Sequence, residues 1–229
     1  MPFPPDAPDL PDARSLTNVS IFRGITLLVV EDSRFTCDSM RLICLRAGGR
    51  LRRAETLAAA RAHLACYRPD VVIVDLGLPD GRGEGLIADL AARGIPVLGT
   101  SGDPDGHDLA IAAGAAGFVD KPMGGIAAFR SLVLRVLGTG VSDVPAENAD
   151  GWSDSPFGDP LAFRDDLARA ASLISGDQRD YALGFLRNLG RAAGDGALEA
   201  AAAGAVSDPD RTVLARLLAE RLSVTQSMA

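Results

Sequence analysis

The chain has 229 residues, 47% of them hydrophobic and only 5% aromatic, with a mean hydropathy of +0.15, which supports one or two aliphatic cores and excludes a disordered chain. A net charge of −7 and a pI near 4.8 argue against a broad nucleic-acid footprint, which needs clustered Lys and Arg. No apolar run is long enough to span a bilayer, and the acidic, Pro-rich start MPFPPDAPDLPDAR lacks the basic and apolar regions of a secretory leader, so a cytoplasmic protein is expected.

Residues 1–23 read as a Pro- and Asp-rich arm. Ile25 to Val30 is a short continuous apolar run, hence a strand buried on both faces, and it ends in Glu31-Asp32. Ser33 opens a helix to about Ala47, with Phe35, Leu42, Ile43 and Leu45 as apolar positions and Gly48-Gly49 closing it. Leu51 to Ala54 is a weak strand, and Arg50, Arg52 and Arg53 around it read as a solvated edge. Thr56 caps an Ala-rich helix to about Tyr67. The three cysteines, Cys37, Cys44 and Cys66, suit reduced core thiols.

Val71-Val72-Ile73-Val74-Asp75 is the most strongly patterned strand, and Gly77, Pro79 and Gly81 stop it. On that stretch alone Asp75 is equally a loop cap or a site residue at a strand's carboxyl end. A helix from about Gly83 to Arg93, a strand Ile95 to Gly99 running into Thr100-Ser101-Gly102, and a short helix from Asp103 to about Ala113 follow. The strand Gly117 to Val119 leads into Asp120-Lys121-Pro122, and a helix from about Ile126 to Leu137 closes the unit. Five β-α repeats predict an α/β fold over residues 24–137, a doubly wound five-stranded parallel sheet of flavodoxin-like order 2-1-3-4-5.

Residues 138–158 read as a linker, with Trp152 and Phe157 available to dock it. Residues 159–229 read as a small all-α interaction region of four helices, complete in itself or completed by a second chain. Leu161, Leu167, Ala170 and Ile174 share a face of the first. Asp177 is placed to cap the second, which carries Tyr181, Phe185 and Leu189; Ala197 to Ala203 makes the third. Asp208-Pro209 suits an N-cap before the fourth, whose apolar face is Val213, Leu214, Leu217, Leu218 and Leu222.

In that strand order the Glu31-Asp32 strand neighbours the Asp75 strand, so their carboxyl ends bring three carboxylates into one crevice. Such a cluster resists ionisation without a cation, and a hard divalent ion with few protein ligands and several waters, Mg²⁺, suits it. Of 23 basic residues 22 are Arg; the single Lys, Lys121, ends a strand opposite the acids, as does Ser101. An ammonium and a hydroxyl facing an acid and a cation make a pocket for a phosphoryl group on Asp75, with Asp75 as nucleophile.

The segments VVEDS (29–33), VVIVDLGLPDG (71–81), the strand leading into TSG (100–102), and GFVDKP (117–122) occur in the order found in receiver domains of two-component response regulators. Residues 24–137 resemble that family, over about half the chain. The resemblance implies Asp75 as phosphoacceptor. It makes Glu31, Asp32, Asp75 and the Gly77 backbone carbonyl the Mg²⁺ ligands, directly or through water, and Lys121 the partner of the phosphoryl oxygens. Ser101 is then the switch hydroxyl, with the adjacent Thr100 a rival, and Phe118 the aromatic that turns inward as Ser101 moves. It also implies a cis peptide before Pro122, an output surface over about 103–137, and a sensor histidine kinase or histidine-phosphotransfer protein as phosphodonor.

Residues 151–229 carry 8 Arg and no Lys against 11 Asp plus Glu, which argues against a DNA-binding output module. Tyr181 to Glu199 resembles the helix pair of histidine-phosphotransfer domains, but no His follows His107. The expected function is therefore a response regulator, not an enzyme, whose phosphorylation switches protein contacts or self-association of the C-terminal helices. The alternatives are a pseudo-receiver or phosphate-sink docking module, or an aspartyl-phosphate phosphotransfer enzyme. The last wants a second acid close to Asp75, and Asp80 is poorly placed for it.

Overall fold

The computed structural model describes residues 21–121, 123, 125–138, 160–174, 176–205 and 207–224. Most of the expected arm lies outside these residues, as do the expected linker with Trp152 and Phe157, and Pro122 with its expected cis peptide.

The apolar runs of the three central strands fold as they do because nearly every residue has a buried face to occupy. Strands β1 (Thr26–Val30), β2 (Arg50–Ala54), β3 (Val71–Asp75), β6 (Val97–Ser101) and β7 (Gly117–Asp120) form one parallel sheet in the order β2-β1-β3-β6-β7. The two-residue strands β4 (Gly77–Leu78) and β5 (Gly81–Arg82) make an antiparallel hairpin beside it. With that hairpin set aside, the sheet has the doubly wound order expected. Side chains alternate between two cores. Leu28, Val30, Val72 and Val74 meet helices α2 (Leu57–Cys66), α3 (Glu84–Ala92) and α4 (Gly106–Ala112) on one face. Leu27, Val29, Val71 and Ile73 meet α1 (Arg34–Arg46) and α5 (Ile126–Val136) on the other.

The sheet positions the site because every strand ends at the same rim. Val30 pairs with Val74, and Asp75 with Thr100, so Glu31, Asp75 and Ser101 reach one edge. The fourth strand of the sheet, β6, starts at Val97 and not Ile95, after Pro96, which has no amide hydrogen to give a ladder; it runs on to include Thr100 and Ser101, opposite Val119 and Asp120.

Helix α1 departs from expectation. Its sheet-facing stripe is Cys37, Met40, Ile43 and Cys44, and Leu42 and Leu45 turn outward, 44% and 52% exposed. Cys66, expected in the core, is exposed at the end of α2, whereas Cys37 and Cys44 are buried.

The C-terminal region forms α6 (Pro160–Leu173), α7 (Arg179–Ala193), α8 (Gly196–Gly204) and α9 (Asp208–Val224) around Leu167, Leu186, Leu189, Leu198, Leu214 and Leu218. Two expected caps fall elsewhere. Asp177 does not cap α7, which begins after Gln178 without a side-chain cap, and Ser207, one residue before Asp208, accepts the first amides of α9. Phe35 of α1 belongs to this second core, edge-on to Phe163 at 5.5 Å. Helices α6 and α7 pack on α1, and α7 also reaches β4. The bundle thus sits at the rim of the strand ends and meets the 103–137 segment, expected as the output surface, at Asp103.

Candidate functional site

Two short peptides carry the acids. After β1, Ser33 caps α1 through its hydroxyl, which accepts from Thr36 N at 3.1 Å, while Ser33 N donates to Glu31 Oε1 at 3.1 Å. Arg53, expected as solvated, is half-buried: it donates to the carbonyls of Glu31 and Asp32 at 3.2 and 2.6 Å and fixes the peptide that bears both acids. After β3, Asp75 Oδ1 accepts from Gly77 N at 3.2 Å.

Glu31, Asp32 and Asp75 are all buried, and their carboxylate oxygens lie within 4.8 Å of one another. Lys121 Nζ stands 2.7 Å from Asp75 Oδ2 and 2.7 Å from Glu31 Oε2. Burial, with help from Asp75 and Asp32, pushes Glu31 up to about 8 against the opposing pull of Lys121. Asp32 rises to about 6, again chiefly by burial, against a hydrogen bond from Tyr181. Burial works to deprotonate Lys121, but Asp75 and Glu31 outweigh it and hold the ammonium. A buried set of three oxygen donors with one ammonium for three acids fits a hard divalent cation.

The other expected residues divide into two groups. Gly77 lines the same small pocket as the three acids and Lys121. Ser101 is buried nearby, its hydroxyl accepting from Asp103 N at 3.0 Å. Gly106 backs Ser101: a Cβ there would collide with the Ser101 side chain and come 3.4 Å from Phe118 Cζ. Phe118 is half-buried and edge-on to His107 at 5.6 Å, so Ser101 and Phe118 share one patch. Thr100 points away from it, donating to Val119 O at 2.8 Å within the sheet. Asp80 accepts from Leu57 N and Ala58 N at 2.8 and 2.9 Å, so it caps α2.

Several residues that sequence reasoning missed come from the bundle. Tyr181 donates its hydroxyl to Asp32 Oδ2. Arg169 donates to Asp32 O at 3.1 Å, stands 3.5 Å from Asp32 Oδ2, and lies over the Phe185 ring at 5.6 Å. Phe185, Asn188 and Leu189 wall the pocket that holds Asp75. Asp166, 1% exposed, accepts from the Ser33 hydroxyl at 3.0 Å and Phe35 N at 3.1 Å. Arg187 pairs with Asp103, and Arg191 donates to Gly102 O. The hydrogen bonds from the bundle to residues 32–103 join positions 84 to 149 apart, and no periodicity in the sequence announces them.

The family model for the response regulator receiver domain matches residues 27–132. The KDP operon transcriptional regulatory protein KdpE of Escherichia coli (strain K12) is 37% identical over 101 residues, 43% of this chain and 45% of that protein. Transcriptional regulatory protein KdpE of Mycobacterium tuberculosis (strain ATCC 25618 / H37Rv) is 33% identical over 135 residues, 56% of this chain and 59% of that one. The chain thus spans about half the length of the curated relatives it matches. Among solved structures, the receiver domain of NtrX from Brucella abortus is 26% identical with a TM-score of 0.46, covering 49% of this chain and 98% of that one. No helix among the described residues is long and apolar enough to cross a membrane. Fold order, the clustered acids and the family match agree: residues 27–132 of this chain are a response regulator receiver domain.

Proposed function

We propose that the chain is a response regulator of a two-component phosphorelay that accepts a phosphoryl group on Asp75. The observation that carries this reading is Lys121 bridging Glu31 and Asp75 at 2.7 Å each, beside Asp32, at the carboxyl ends of a parallel sheet. Asp75 forms the new O–P bond as the bond from phosphorus to the donor's leaving atom breaks. Lys121, released from one carboxylate, meets the negative oxygens of the transferring group. Glu31, Asp32, Asp75 and the Gly77 carbonyl would hold Mg²⁺, directly or through water, and the ion would supply further charge neutralisation. Ser101 is the better switch hydroxyl, because Thr100 is committed to Val119 O and Ser101 shares its patch with Phe118.

The donor is a sensor histidine kinase or a histidine-phosphotransfer protein, and the setting is cytoplasmic. Residues 24–137 act as receiver and 159–229 as the interaction region whose contacts respond, with a protein partner or a second copy as its target. DNA is a poor target: Arg169, Arg187, Arg191 and Arg221 of the bundle are all paired with acids. A phosphotransfer enzyme is disfavoured, since Asp80 is occupied as the cap of α2.

The test is intact mass after incubation with acetyl phosphate. A single phosphoryl adduct that requires Mg²⁺ and disappears in Asp75→Asn is expected. No adduct on the folded wild type with Mg²⁺ present would replace this reading with a pseudo-receiver that docks constitutively.

A further inference from the structure

We propose that the bundle α6–α9 is a built-in cover for the acid cluster, so that its docking and the binding of a divalent cation oppose each other. The proposal rests on the reading of Glu31, Asp32 and Asp75 as the cation and phosphoryl site. The Tyr181 hydroxyl hydrogen-bonds to Asp32 Oδ2, one of the two oxygens that Asp32 can offer a cation. Arg169 adds a positive charge 3.5 Å from the same oxygen. A cation that takes this oxygen competes with the phenol, and any cation at the cluster meets the guanidinium's repulsion.

Access is blocked by the same helices. Phe185, Asn188 and Leu189 of α7 line the pocket at Asp75, in the space that an incoming phosphodonor needs. The cover is also anchored through residues other than the acids themselves. Asp166 is buried and takes the Ser33 hydroxyl and Phe35 N, Phe35 inserts into the bundle core, and Arg187 pairs with Asp103. It is not held without cost: the Asn188 amide oxygen is buried against Gly102 with no hydrogen-bond partner. A contact with both strong anchors and an unmet acceptor is suited to release. By linkage, whatever factor docking takes from cation affinity, cation binding takes from docking.

The experiment uses the full chain as wild type, Tyr181→Phe and Asp166→Ala. Mg²⁺ affinity is measured by calorimetry, and hydrogen exchange of 179–193 is followed with and without saturating Mg²⁺. Both variants should bind Mg²⁺ about tenfold more tightly than wild type, and Mg²⁺ should speed exchange along α7 in the wild type. Tyr181→Phe changes no charge and keeps the ring. Asp166→Ala removes an anion, which by charge alone would weaken cation binding, so tightening there reports release of the cover. Equal affinities with unchanged exchange, in a protein that acetyl phosphate still labels at Asp75, would overturn the cover and leave the receiver reading intact. No Mg²⁺ binding and no adduct in any form would overturn both.

Discussion

Glu31 and Asp32 hold protons in a range where solvated carboxylates have lost them. Their folded values, about 8 and about 6, lie above the ordinary 4.5 and 3.8, first because both are buried. A group raised on folding contributes stability that is full below its unfolded value and is lost as pH rises through its folded value. Asp195, held low chiefly by Arg221, works in the opposite direction but is already ionised by pH 5. The thermal midpoint of the protein in a chelator should therefore fall from about pH 5 to about pH 8. Saturating Mg²⁺ should flatten the fall, since a ligated carboxylate gives up its proton without penalty. A midpoint that climbs across that window in chelator would contradict the burial of these acids.

Helix α1 is the element that two cores share. One stripe, Cys37, Met40, Ile43 and Cys44, faces the sheet, while Phe35 near its start enters the bundle at 5% exposure. Phe35→Ala should cost about 3–5 kcal/mol, and the loss should fall on the bundle. Amide exchange in 160–193 should accelerate while β1 and β3 keep their protection. Equal acceleration in both would mean that Phe35 supports the sheet. The sequence made the strands and their order legible, because parallel strands buried on both faces are unbroken apolar runs such as Val71 to Val74. It was misleading for α1, where Leu42 and Leu45 are as apolar as Ile43 but lie off the inward stripe, and where Phe35 answers to a partner 128 residues away. The acids and Lys121 were legible for a related reason: each lies at or within two residues of a strand's carboxyl end, so topology brings them together.

At the scale of the whole molecule, the rim that carries the acids and the bundle are not side by side but face to face. Tyr181, Arg169 and Asp166 could not be read as site residues beforehand, since each lies on an ordinary amphipathic helix and gains its meaning only from docking. The lone lysine then acquires a use unrelated to signalling. The other 22 cations are Arg, so Lys121 is the single side-chain amine in the chain. Its side chain is 4% exposed, and two carboxylates keep it protonated. An acylating reagent should therefore mark Lys121 slowly. Displacing the bundle and breaking the two ion pairs should raise that rate, read by peptide mass spectrometry, and a rate unchanged by Tyr181→Phe would show that the bundle does not limit it. The composition that left this protein one lysine has given its acid cluster a chemical clock, timing how often the cluster stands open.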